Sequence, residues 1–141
     1  MTRKTKVDYF FATGKRKRAI ARAKIEEGKG KIMVNSVPLS LWSTELSRLW
    51  IKEPLEIAGE FPKTANITIN VKGGGVSAQA ESVRIAISKA LVKFSKDKKL
   101  KKAMLDFDRN MLVYDPRRTE PHHGHGASKR GSRRHKQRSK R

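Results

Sequence analysis

The sequence contains no cysteine among its 141 residues. That absence excludes disulfides and zinc–thiolate sites, and it fits a reducing compartment. No apolar run approaches the length that a membrane-spanning helix requires. The basic stretches also lack the interleaved bulky apolar residues of a helix that lies on a membrane surface. The sequence therefore gives no support for a membrane partner or for a disulfide-stabilised scaffold.

Acidic residues are scarce as well. Thirteen Asp and Glu stand against 34 Lys and Arg, so the formal net charge is +21. Such an excess of positive charge would repel itself in a free compact protein. Nucleic acid is the expected neutralising partner, because its dense phosphates reward the release of condensed counterions. The composition therefore indicates a nucleic-acid-binding protein, and the length suits one domain.

The last 25 residues contain no Val, Ile, Leu, Met, Phe, Tyr or Trp, and ten of them are Lys or Arg. Such a segment cannot bury enough apolar surface to offset the entropy of ordering itself. We expect a globular domain over residues 1–115 and a basic extended arm over residues 116–141. The arm is expected to be disordered when free and to order on a polyanion. The alternative is a generic basic tail that aids only solubility or localisation.

Strands are predicted where apolar residues alternate with polar ones, and the clearest example is residues 67–71. Residues 19–25 and 31–35 are predicted to form a hairpin around Gly28-Lys29-Gly30. The alternative is that the Ala-rich stretch over residues 19–25 is helical. A first strand is expected over residues 9–13, and an edge strand over residues 112–114.

Three helical segments are predicted from apolar spacing near 3.6 residues. The first begins after Ser40 as its cap, and Pro54 either interrupts it or opens a second short helix. Its apolar face is predicted to hold Leu41, Trp42, Leu46, Leu49 and Trp50. The second helix has Ser77 as its cap, and the third covers Lys98–Phe107. This order of elements predicts an α+β fold, a mixed β-sheet with helices on one face.

Two groups of residues are candidates for binding phosphate. The first is a run of four cations at a predicted turn, with two more beyond it, namely Lys15, Arg16, Lys17 and Arg18, then Arg22 and Lys24. The alternative is a solvated charged loop. The second is Lys72 with Gly73, Gly74 and Gly75, between a strand and a helix. Glycines let a backbone approach closely, and free N–H groups at a helix start favour an anion. The alternative is a tight turn with nothing bound.

Other chemistry receives little support. Trp42 and Trp50 could stack on bases, but their helical spacing favours a role in the core. The three histidines at positions 122, 123 and 125 lie in a glycine-containing arm, which gives a metal no fixed geometry. All four histidines lie in that arm, and the aspartates are scattered. We expect no catalytic activity and no cofactor.

Six short motifs follow one another along the chain, and their order is more specific than any one of them. They are Thr13-Gly14-Lys15-Arg16-Lys17, Val34-Asn35, Pro54-Leu55-Glu56, Val71-Lys72-Gly73-Gly74-Gly75, Asp115-Pro116-Arg117-Arg118 and Ser139-Lys140-Arg141. The ordered set resembles the family of small-subunit ribosomal protein nine over essentially the whole chain. Residues 115–121 resemble its archaeal and eukaryotic branch, whereas the Ser-Lys-Arg ending is more like the bacterial one.

The resemblance implies a compact α+β domain on the head of the small ribosomal subunit, in the cytoplasm. It implies an arm that threads through ribosomal RNA toward the peptidyl-site tRNA, with neighbouring head proteins as further partners. Lys140 and Arg141 match the family residues that approach the tRNA. Besides the two groups above, the candidates for contact with ribosomal RNA are Arg117, Arg118, Lys129, Arg130, Arg133, Arg134, Lys136 and Arg138.

Two other functions use some of the same features. A DNA-compacting or general nucleic-acid-binding protein would use the charge without needing the ordered motifs. An RNA-processing enzyme would need a carboxylate or metal constellation, which the sequence does not supply.

Overall fold

The computed structural model describes residues 9–117 of the chain. The arm cations after Arg117 and the histidine group lie outside the described residues. Five strands are formed by Tyr9–Arg16 (β1), Ala19–Glu27 (β2), Ile32–Val34 (β3), Val37–Pro38 (β4) and Ala65–Lys72 (β5). Three helices are formed by Glu45–Ala58 (α1), Val76–Ser95 (α2) and Lys98–Phe107 (α3). Short 3₁₀ turns cover Leu39–Leu41, Phe61–Thr64 and Arg109–Met111.

The strands form one mixed sheet in the order β1-β2-β5-β3-β4. β2 is antiparallel to both β1 and β5, and β3 runs parallel to β5. Along β2 and β5, buried residues alternate with exposed or half-buried ones. The buried residues meet the helices, so the helices cover one face of the sheet and leave the other uncovered. The predicted α+β fold is confirmed.

Small residues let α2 lie close to the sheet. β2 presents Ala19, Ala21 and Ala23 to the core, and all three are fully buried. Gly14 in β1 faces the same helix. A Cβ atom at Gly14 would lie 2.0 Å from the carbonyl oxygen of Ser82 in α2. Helix and strand backbones therefore meet where no side chain fits. α1 and α3 also pack against α2.

The hairpin predicted around Gly28-Lys29-Gly30 is wrong. β5 lies between β2 and β3, and the glycine loop passes around the beginning of β5. The N–H of Gly28 donates to the carbonyl of Thr64 at 2.9 Å, and Asn66 Oδ1 accepts from the N–H groups of Lys29 and Lys31. Thr64 and Asn66, from much later in the chain, satisfy these polar groups, so the loop is not a local turn.

A hairpin instead joins β1 to β2 through a two-residue loop at Lys17 and Arg18, and another joins β3 to β4. β1 continues past the predicted end at residue 13 as far as Arg16. Two of the four consecutive cations therefore lie in the strand rather than in the turn, and their side chains point to opposite faces of the sheet.

The first helix begins later than predicted. Thr44 caps α1 by accepting a hydrogen bond from the N–H of Ser47 at 3.4 Å, so Ser40 is not the cap. Pro54 is buried inside the continuous helix and neither interrupts it nor starts another. The predicted apolar face is partly wrong, because Leu41, Leu46 and Leu49 are exposed. The helix instead buries Ser47, Ile51, Pro54 and Ala58.

The remaining elements agree with the sequence in most respects. Trp42 is buried and Trp50 packs against the core, as predicted. α3 has the predicted bounds, and Asp97 caps it by accepting from the N–H of Lys99 at 2.8 Å. Two predictions about these elements are wrong. The cap of α2 is Gly75 rather than Ser77. Residues 112–114 follow a 3₁₀ turn and form no strand. Within residues 9–117, none of the helices has the length and apolar character to cross a membrane.

Candidate nucleic-acid interface

Two motifs that are far apart in the sequence meet at one end of the sheet. Ile20, just after the β1–β2 loop, pairs with Lys72 at the end of β5. The backbone of Gly73 then passes so close to the loop that a Cβ atom there would lie 2.6 Å from the carbonyl oxygen of Arg18. Gly73 and Gly74 both have positive φ, at 77° and 70°. The glycines are thus required by the packing of this turn, whatever it binds.

This meeting point gathers three exposed cations, Arg18, Arg22 and Lys72, which we call the hairpin cluster. They line a cavity of about 310 Å³ together with Ile20, Asn70 and Gly73. In the part of the chain that the structure describes, none of the three forms an ion pair. The cluster therefore presents uncompensated positive charge, which suits a phosphate backbone.

The start of α2 lies directly after this turn. No side chain caps the helix, and its first turn contains no acidic residue. A Cβ atom at Gly75 would meet nothing within 4 Å, so the approach to the first N–H groups is open. Uncapped N–H groups and the positive end of the helix dipole both favour an anion. The glycine motif therefore combines the tight turn with donors suited to phosphate.

Arg16 has a different environment from its neighbours. Its Nε lies 2.6 Å from Glu81 Oε2 in α2, and its Nη1 pairs with Asp115 near the end of the described chain. The side chain is only 19% exposed. Because two carboxylates already neutralise this guanidinium, we leave Arg16 out of the interface. It joins β1 and α2 to the segment that leads into the arm.

Three further ion pairs lie near Arg16, and their side chains line a groove of about 350 Å³. Arg84 of α2 pairs with Glu53 of α1 and with Asp108, and Arg117 pairs with Asp115 at 2.7 Å. Burial would raise the pKa of Asp108, but hydrogen bonds from the Asn110 N–H and from Arg84, with the charge of Arg84, lower that pKa overall. These pairs and those of Arg16 engage Glu53, Glu81, Asp108 and Asp115, none of which lines the cavity of the hairpin cluster.

Two further cations were not among the candidates from the sequence. Lys89 and Lys93 of α2 reach across the exposed edge of β1, where Lys93 Nζ donates to the Phe11 carbonyl at 2.8 Å. Burial lowers the pKa of Lys89, and repulsion from Lys93 and Lys15 lowers that pKa further. Lys89 and Lys93 are four residues apart and therefore share one face of the helix. This spacing is the feature of the sequence that could have identified them. A polyanion at this edge would relieve the repulsion.

The remaining candidates fall into two groups. Lys15 and Lys17 are exposed at the same end of the sheet as the hairpin cluster. Outside the described residues lie Arg118, Lys129, Arg130, Arg133, Arg134, Lys136, Arg138, Lys140 and Arg141. Among residues 9–117, no group of three or more acidic or histidine side chains is placed to hold a metal ion.

Comparisons with known proteins give one consistent result. The family model for ribosomal protein S9/S16 matches residues 14–141. A protein of Desulfurococcus amylolyticus is 45% identical over 116 residues, covering 82% of this chain and 83% of that protein. Relatives in Aeropyrum pernix and Pyrobaculum aerophilum are also 45% identical, covering 79% and 85% of this chain and 84% and 87% of their own. All three are called small ribosomal subunit protein uS9.

Proposed function

Since this chain belongs to the ribosomal protein S9/S16 family, we propose that it is a structural constituent of the small ribosomal subunit that binds the RNA of that subunit. The relatives named above are archaeal, which confirms the predicted family and agrees with the archaeal-type branch. Membership of this family also agrees with the prediction of a protein that is not an enzyme. Its place is then in the ribosome, in the cytoplasm, among neighbouring proteins of the subunit head.

The hairpin cluster is the observation that carries the proposal. Packing brings cations from two distant motifs together, and it places them beside an uncapped helix start. Arg can bind a phosphate through two parallel hydrogen bonds, whereas Lys acts as a point charge. Contacts of this kind fix the position of a protein on RNA without reading its sequence. That is the chemistry required of a structural protein seated on folded RNA.

We expect the full-length protein to stay with small subunits through a high-salt wash that removes adventitious basic proteins. The triple substitution of Arg18, Arg22 and Lys72 by Gln should lower the affinity for the small subunit roughly a hundredfold, at about 1 kcal/mol for each exposed contact. The matched control replaces Lys99, Lys101 and Lys102 of α3, which are also exposed, and removes the same charge. Co-sedimentation of the three proteins is the measurement.

The high-salt wash distinguishes a structural protein of the small subunit from a general nucleic-acid-binding protein. Release of the unchanged protein from subunits would favour the charge-only function. Equal loss by the cluster variant and by the α3 control would show that total charge matters and that the hairpin cluster has no special role.

We further propose that the arm reaches the peptidyl-site tRNA, with Lys140 and Arg141 in contact with it. Support comes from the reach of the chain, since 25 extended residues at about 3.3 Å each span roughly 80 Å. The pairing of Asp115 with Arg16 gives the arm a defined starting point on the body. A cation at the end of such an arm would steady any tRNA, whichever codon is read.

Deleting Lys140 and Arg141 should leave subunit assembly unchanged and weaken tRNA at the peptidyl site five- to thirtyfold. This corresponds to about 1–2 kcal/mol for one or two charge-assisted contacts. The measurement is the dissociation rate of several tRNAs from purified subunits that carry the truncated protein. Unchanged rates at normal occupancy of the protein would remove this role from the terminus.

A further inference from the structure

The face of the sheet that the helices leave uncovered has an ordered arrangement of side chains. Along β1 the outward residues are Tyr9, Phe11, Thr13 and Lys15, because side chains alternate between faces. The register places Phe11 opposite Lys24, and Lys24 opposite Thr68. The next row toward the hairpin cluster contains Thr13, Arg22 and Asn70. Aromatic rings thus lie at one end of this face and the hairpin cluster at the other.

The two aromatic side chains are held in a fixed relation to each other. Phe11 is 58% exposed and Tyr9 is 54% exposed. Their ring centroids are 5.2 Å apart with an interplanar angle of 73°, an edge-to-face contact. Lys24 Nζ lies 5.1 Å from the centroid of Tyr9. Tyr9 and its neighbouring cation therefore support one side of Phe11, while most of the Phe11 ring faces solvent.

We propose that this uncovered face binds unpaired nucleotides of RNA, with a base stacked on Phe11 and the adjoining phosphates on the hairpin cluster, beginning at Arg22. The proposal rests on the RNA-binding function given above and specifies its ligand as single-stranded. Base stacking on an aromatic ring tolerates any sequence and requires a base that is free of its duplex. Two residues along a strand span about 7 Å, so Arg22 lies one row from the ring.

The charged side chains on the uncovered face of the sheet indicate which class of molecule binds there. Among the outward residues of β1, β2 and β5, the one acidic residue is Glu26, which is paired with Lys24 at 2.7 Å. The other outward cations on these strands, Lys15, Arg22 and Lys72, form no ion pair with a carboxylate among the described residues. Thr68 and Asn70 add neutral polar groups that can meet base edges or ribose hydroxyls. Exposed aromatic rings among cations match a chain of bases and phosphates better than they match an apolar protein surface.

The test compares two variants of the full-length protein, Phe11→Ala and Phe107→Ala. Phe107 is a matched control, because it is 61% exposed and lies on α3 in the helical layer. The probes are a short single-stranded RNA and an abasic oligomer with the same number of phosphates. Measuring at about 0.5 M salt weakens the phosphate contacts and leaves stacking as the larger contribution.

Phe11→Ala should weaken binding of the single-stranded RNA roughly five- to a hundredfold, the range for losing one stacked base. Binding of the abasic oligomer by Phe11→Ala should not change. Phe11→Trp keeps an aromatic ring at this position, so it should bind the single-stranded RNA as the unchanged protein does. Phe107→Ala should also bind as the unchanged protein does. Equal affinity of Phe11→Ala and the unchanged protein for the base-containing RNA would overturn the proposal, and so would equal losses on both probes. Normal co-sedimentation of Phe11→Ala with small subunits would then show that the ribosomal role stands without the stacking.

Discussion

Replacing Gly14 with serine should destabilise the domain by about 3 kcal/mol, the upper part of the range for overpacking a core. The added Cβ would lie 2.0 Å from the Ser82 carbonyl oxygen and 2.7 Å from the Ala86 nitrogen. Both are backbone atoms of α2, so no side chain can rotate away, and strand and helix must separate. The midpoint of thermal unfolding, followed by circular dichroism, should fall by about 10–20 °C.

The matched control is Gly75→Ser, which adds the same side chain at the start of α2. A Cβ atom there would meet nothing within 4 Å, and φ is −98°, which any residue adopts. Serine is also a favoured N-cap residue, so the unfolding midpoint should stay the same or rise slightly. Similar midpoints for the two variants would show that α2 does not approach β1 as closely as described.

Binding of the full-length protein to duplex RNA should depend steeply on salt. If about eight cations replace condensed counterions, the slope of log affinity against log salt is near −7. Between about 50 and 200 mM salt this amounts to roughly a ten-thousandfold loss of affinity. The measurement is a series of binding isotherms over that range. A slope shallower than about −2 would contradict an interface dominated by phosphate contacts.

Removing residues 117–141 should flatten that slope and leave the folded domain intact. The truncation removes ten cations. If the hairpin cluster alone remains in contact, its three cations give a slope near −3. An unchanged unfolding midpoint of the truncated chain is the control for the fold. A truncated chain that kept the full slope would place the phosphate contacts on the domain and not on the arm.

The sequence alone determined the features that depend on neighbouring residues or on composition. Alternation identified β5, spacing near 3.6 residues identified α2, and the bounds of α3 were predicted correctly. The charge imbalance indicated a nucleic-acid partner, and the order of the motifs indicated the family. These signals are local or additive, so they are present in the unfolded chain as much as in the folded one.

Tertiary structure decided which elements meet. A glycine loop typical of a hairpin did not reveal that β5 would enter the sheet between β2 and β3. Four consecutive cations looked equivalent, yet Arg16 pairs with carboxylates from α2 and from residue 115. Arg18 instead reaches the cluster with Lys72. These contacts join residues 35 or more positions apart. Their free energy depends on the packing of the whole chain, which no short window of sequence contains.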